Sequence, residues 1–135
     1  MEHRSALIGS LPGGRLALGQ LTGEIIGAFF EVYNTLRFGH LESTYGGALA
    51  VELEIRGLRF RRECPLDVHY KERLVGHYRA DFIVEGRVIV ELKAMAVVGH
   101  PERRQLLNYL CATRMRIGLL LNFGPEAKFL RVING

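Results

Sequence analysis

The sequence predicts an α/β domain: a mixed central sheet flanked by helices. Two amphipathic helical patterns come first. A series of short β-branched runs then closes on a hairpin at Tyr78–Ala94, and a third helical pattern separates that meander from two final strands. The chain has 135 residues, enough for one domain with its own core and too few for two ordinary ones.

The first helix is expected over Leu21–Leu36. Ile25, Phe29, Val32, Tyr33 and Leu36 fall on one face. Thr22 suits the N-cap, Glu24 the first turn and Gly39 the stop. The second helix spans about Glu42 to Arg56, with Tyr45, Leu49 and Leu53 four apart and Gly57 beyond its end. Gly46 and Gly47 lie in its early turns. Each costs roughly 1 kcal/mol against alanine, which predicts a loose start. Leu58–Glu63, Leu66–Tyr70 and Leu74–Tyr78 read as short strands, broken at Pro65 and turned at Lys71-Glu72-Arg73. The third helix is expected from about Pro101 to Thr113, burying Leu106, Leu107, Leu110 and Cys111. Arg116–Asn122 and Lys128–Ile133 close the sheet, with Gly124-Pro125 turning between them. The uninterrupted apolar run Ile117–Leu121 suits a strand covered on both faces.

Within the hairpin, Phe82–Val84 and Val88–Val90 are apolar arms, yet Asp81, Glu91 and Lys93 punctuate them. Charges on apolar strands are unfavourable unless paired or holding a cation. Loop length decides whether they meet. A two-residue loop would turn Asp81 away from Glu91. A three-residue loop at Glu85-Gly86-Arg87 pairs Val84 with Val88 and sets Asp81 against Glu91, because one residue of slip changes the face of every side chain. Gly86 can take the left-handed conformation such loops need, so the odd-length loop is the expectation.

Apolar residues make up 48% and charged residues 24%, ordinary proportions for a globular protein. No apolar run reaches the roughly 20 residues of a membrane span. Residues 1–19 lack a small-residue cleavage pattern and read as a loosely ordered extension rather than a leader. Cys64 and Cys111 lack metal-ligand spacing and read as core thiols of a cytoplasmic protein. The net charge of +4 is carried mainly by arginine, which suits bidentate phosphate contact, although a charge of that size also serves solubility alone. Arg79, Arg103 and Arg104 are the candidate phosphate contacts.

A carboxylate from each of two adjacent strands can hold one Mg²⁺ or Mn²⁺, with the Leu92 carbonyl as a third protein ligand. Such a cation supplies a water nucleophile at neutral pH. Lys93 shares the Glu91 face and can offset charge developing on a phosphate. The alternative is a surface ion pair between Glu91 and Lys93.

The chain resembles the GxxExxY family, a branch of the PD-(D/E)XK nuclease superfamily. Gly39-His40-Leu41-Glu42-Ser43-Thr44-Tyr45 carries the name motif. Arg79-Ala80-Asp81-Phe82 and Val90-Glu91-Leu92-Lys93-Ala94 match the superfamily core, Gln105–Tyr109 a QxxxY helix, and Gly118–Gly124 the usual ending. The resemblance spans about Leu21 to Gly135. It implies a restriction-endonuclease-like fold and a Mg²⁺- or Mn²⁺-dependent nuclease acting on DNA or RNA. In it Asp81 and Glu91 would be metal ligands, Lys93 the catalytic lysine and Glu42 an additional acid. Gln105 and Tyr109 would orient the site or touch phosphate. Tyr45 reads as core, and for Gln105 and Tyr109 a hydrogen-bonded helix face is the alternative. Two departures stand out: Gly46-Gly47 replaces acidic residues common after the motif tyrosine, and Glu102 replaces a histidine three positions before the glutamine. The rival functions are a nucleic-acid-binding or regulatory module with weak turnover, and a protein-interaction module of a defence or mobile-element system. A domain this small covers few base pairs, which makes a homodimer a candidate assembly.

Overall fold

The computed structural model describes residues 15–135. Most of the extension expected over residues 1–19 therefore lies outside the described residues. Its end belongs to the fold: helix α1 spans Leu18–Leu36, and Leu16 is buried in the core. Helix α2 spans Glu42–Ile55, strand β1 Phe60–Tyr70, β2 Arg73–Val84 and β3 Val88–Lys93. Helix α3 (His100–Thr113) crosses over to β4 (Ile117–Phe123), and β5 (Ala127–Ile133) ends the sheet. The strand order is β1-β2-β3-β4-β5. All neighbours are antiparallel except β3 and β4, which are parallel. This is the expected mixed sheet flanked by helices.

Two apolar clusters sandwich the sheet. One joins α1 and α2 to Phe82, Val84, Val88, Val90, Leu92 and the odd-numbered residues of β4. The other joins α3 to Ile83, Ile89, Leu120 and Val132. Strands β3 and β4 are buried on both faces, as their unbroken apolar runs require.

Several local expectations change. The runs around Pro65 form one strand, because β1 lies at the sheet edge, where a residue without an N–H is tolerated. Leu74–Tyr78 continues into the first hairpin arm, so β1 and β2 form a long two-stranded ribbon, turned at Lys71 and Glu72 with φ of 48° and 67°. Thr22 is not the cap of α1: its hydroxyl donates to Gly19 O within the helix. Helix α2 is regular from Glu42 despite its glycines, with the Thr44 and Tyr45 N–H groups bonded to Leu41 O. On α3 the buried stripe is Leu106, Tyr109 and Leu110. Cys111 is exposed, while Cys64 is buried as expected. A stripe at i, i+3, i+4 faces the sheet more squarely than the expected one. Among the described residues, no helix is long and apolar enough to cross a membrane.

Candidate active site

The β2–β3 hairpin has the predicted odd-length loop. Val84 pairs with Val88, Ile83 with Ile89 and Phe82 with Val90. Gly86 takes φ 65°, and Glu85 is also left-handed at φ 52°. The Glu85 side chain anchors the turn by accepting the Arg59 N–H at 2.8 Å.

The next step of the ladder would pair Asp81 with Glu91. There the main-chain pairing stops, and side chains take over its bonds. The Asp81 N–H donates to Glu91 Oε2 at 3.0 Å, and the Leu92 N–H donates to Asp81 Oδ2 at 2.7 Å. Each carboxylate thus spends one oxygen on the opposite strand, and its second oxygen has no hydrogen bond within the described residues. Glu91 is only 5% exposed. Burial, with Asp81 close by, pushes its carboxyl up to about 8. Asp81 is raised from its usual value too, first by burial and against the Leu92 N–H bond and the Lys93 charge.

Lys93 is half-buried. Among the described residues it forms no ion pair with Glu91, so the surface-pair alternative fails. Its charge is nonetheless felt by Glu42, Asp81 and Glu91.

Glu42 opens α2 beside a cleft of about 170 Å³ that it shares with Gly46, Arg62, Glu63 and Asp81. Burial and the Asp81 charge raise its carboxyl. The preceding segment shows why the motif residues belong together. Gly39 takes φ 118°, open to glycine and strained for other residues. Tyr45 is fully buried, stacked on Phe123 at 4.2 Å. Its hydroxyl donates to Arg37 O and accepts the His40 N–H. The glycine turns the chain, the tyrosine latches it from beneath, and the glutamate is delivered to the cleft.

Tyr109 lies on the buried face of α3, its ring 5.7 Å from that of Tyr78. Burial, then the Glu91 and Asp81 charges, raise its hydroxyl, which places it in the field of the carboxylate pair. Gln105, one turn earlier, is exposed and joins no described residue by a side-chain hydrogen bond. Arg103 and Arg104 are exposed on α3. Arg79 reaches Glu63 at 3.6 Å, both largely exposed. The departure at Glu102 has a local role: its Oε1 accepts the Gly99 N–H at 2.7 Å and caps α3.

Two residues escaped the sequence reading. Arg62 lies over the Phe82 ring at 5.2 Å and lines the Glu42 cleft. A Cβ on Gly46 would meet its guanidinium at 2.8 Å, so the glycine at the acidic residue's place makes room for an arginine. Asn122 pairs in register with Lys93. Its amide closes a two-bond ring on Met95, accepting from the N–H and donating to the carbonyl, both at 3.0 Å.

Among the described residues, no three His, Cys, Asp or Glu side chains converge as a ready-made metal cage. The donor chemistry nevertheless fits a hard cation. A buried Glu91 and a half-buried Asp81 lie together without a cationic partner among the described residues, each with a free oxygen, and Mg²⁺ needs only one or two carboxylates because it keeps several waters.

Comparison with curated proteins gives no match. Among solved structures, SSO0001 is similar at TM-score 0.53 and 18% identity, over 68% of this chain and 50% of that one. The chain therefore spans about half of that protein's length, and the likeness bears on the fold alone. The fold is the restriction-endonuclease-like α/β core that the sequence implied. A family description, that of the PD-(D/E)XK nuclease superfamily, matches residues 19–132, nearly the whole chain, and on that match the chain belongs to the PD-(D/E)XK nuclease superfamily.

Proposed function

We infer that this protein is a Mg²⁺- or Mn²⁺-dependent phosphodiesterase acting on nucleic acid, of the GxxExxY branch. One observation carries the reading: a half-buried Asp81 and a buried Glu91 lie together where the β2–β3 ladder opens, without a cationic partner among the described residues and beside Lys93. The branch assignment is supported by the joint use of Gly39, Glu42 and Tyr45, whose spacing has a structural reason here.

Asp81, Glu91 and the Leu92 carbonyl would hold the cation. When bound, it would supply Lewis-acid charge to the phosphate and a water nucleophile at neutral pH. Lys93 would offset the charge that builds on the phosphoryl oxygens. Glu42, raised from its ordinary value, would orient the attacking water and take its proton. Tyr109 would hold a phosphate oxygen from the α3 side, and Gln105 would reach substrate from the exposed turn before it. Arg79, Arg103 and Arg104 would contact phosphates beyond the scissile one.

The test is cleavage of single- and double-stranded DNA and RNA with Mg²⁺, Mn²⁺ or EDTA. Metal-dependent cleavage lost in both Glu91→Gln and Lys93→Ala is the expected result. Activity that survives both substitutions sinks the reading.

A second reading is a nucleic-acid-binding module with little turnover. It is favoured by the Glu91 carboxyl lying near 8, which keeps this residue largely protonated at neutral pH until a cation displaces the proton. Binding that weakens steeply with salt, without metal-dependent cleavage, would select it.

A further inference from the structure

The C-terminal ends of the parallel pair β3 and β4 lie side by side. Lys93 ends β3 in register with Asn122 of β4, and Asn122 is in register with Lys128 of β5. The three residues form a row across adjacent strands, which sets Lys128 about 10 Å from Lys93 between α-carbons. Beyond the row, on the side away from Asp81, is a cavity of about 320 Å³. Val97, Val98, Leu120 and Leu130 give it apolar walls, and Asn122, Glu126 and Lys128 stand at its polar side. Ligands of open α/β sheets gather outside the carboxyl ends of the strands, and this cavity has that position.

Its walls are held in place. Asn122, 4% exposed, clamps Met95 through both amide atoms. Gly124 lies so close to Met95 that a Cβ would fall 2.3 Å from the carbonyl oxygen. The Tyr33 hydroxyl makes contacts of 2.9 Å to both Gly124 O and Pro125 O. The loop after β3 and the turn after β4 are thereby laced into one rigid rim. Rigidity matters because a cavity formed in advance binds without an ordering penalty.

We propose that this cavity is a nucleobase subsite, which takes the base next to the scissile phosphate of a single-stranded segment while Lys128 meets the adjoining phosphate. The inference rests on the nuclease reading for its direction, since Lys93 marks where the phosphate would lie. Bases present apolar faces with polar edges, which suits apolar walls and a polar lip that carries a lysine. Lys128 now pairs with Glu126 at 3.5 Å, both largely exposed, so the ammonium is free to change partner at little expense. A single strand is the occupant favoured here, because a paired base cannot enter a cavity.

The test uses the full chain carrying Glu91→Gln, in EDTA, and a fluorescein-labelled thymidylate pentamer read by anisotropy. Val97→Glu is the probe variant: Val97 is 77% exposed on a loop, so the fold tolerates it. It should weaken Kd about ten-fold, within the range for losing one stacked base. A pentamer abasic at one position should show the same loss on Glu91→Gln, and no further loss on Glu91→Gln/Val97→Glu. Three results would overturn the proposal: no pentamer binding, a Val97→Glu effect within about two-fold, or an abasic loss that persists in full in the double variant. Hydrolysis of bis(p-nitrophenyl) phosphate by the unsubstituted chain with Mn²⁺ is measured in parallel. Failure there counts against the nuclease reading and leaves the subsite standing on its binding data.

Discussion

The two ends of the β2–β3 hairpin obey different rules. At the closed end, Phe82, Val84, Val88 and Val90 are fully buried, and the strands bond through their main chains. One residue further on, Asp81 and Glu91 are joined by side chain to main chain instead. The closed end is stable because the arms pair through their main chains and the side chains of the paired residues are apolar. The open end stores two carboxylates whose burial raises both from their ordinary values. The first holds the second in register, and stability and chemistry are thus separated by a single step along one hairpin.

Breaking the closed end should have the largest effect. Phe82→Ala leaves a cavity under Phe60 and Arg62 and should lower stability by about 3–5 kcal/mol, read from the urea midpoint. Activity should fall only as the folded fraction falls.

At the open end, charge rather than packing is at stake. Glu42, Asp81 and Glu91 are all raised in the fold. Between the ordinary value of Glu91, 4.5, and about 8, the metal-free native state holds more protons than the unfolded chain, so stability should fall as pH rises through that window. Glu91→Gln should remove most of this slope and make the metal-free protein more stable at pH 8, by on the order of 1–3 kcal/mol. Urea titrations at pH 5 and pH 8 in EDTA check the sign. Mn²⁺ should stabilise the unsubstituted chain more at pH 8 than at pH 6, because binding displaces the proton. Equal slopes for both proteins would show that Glu91 titrates normally.

Tyr45→Phe tests the latch behind Glu42. Loss of its bonds to Arg37 and His40 should cost about 1 kcal/mol, with the ring stack on Phe123 preserved. If Glu42 serves the chemistry, kcat should drop while KM holds. The smallest effect belongs to the rim. Arg79→Ala breaks an exposed pair with Glu63 and should change stability by less than about 0.5 kcal/mol, while shifting the salt dependence of nucleic-acid binding.

What the sequence disclosed follows the same division. The register was legible because a period of two and an odd loop leave one arrangement in which Asp81 meets Glu91. Helix positions were legible from their apolar spacing and from Gly57, which takes φ 75° just past α2. The length of β1 was not, because Pro65 argues against a strand unless the strand is known to lie at an edge. The buried stripe of α3 was missed because Leu107 and Cys111 carry as much apolar signal as Tyr109, and only the sheet beneath decides between them. Arg62 was one arginine among many until Gly46 was seen to face it. Asn122 looked like the polar end of a strand, and its pairing with Met95 joins segments 27 residues apart, which no local pattern reveals.

Strand β1 brings one more consequence. It runs eleven residues along the border of the sheet, and a strand of that length with no neighbour on its outer side invites another chain to add itself. Pro65, at its middle, offers no N–H, and Arg61, Arg62, Glu63 and Asp67 scatter charge along it. The residue that disguised the strand in the sequence therefore interrupts the template for intermolecular pairing, and guards a crowded solution of this protein against polymerising through its own sheet.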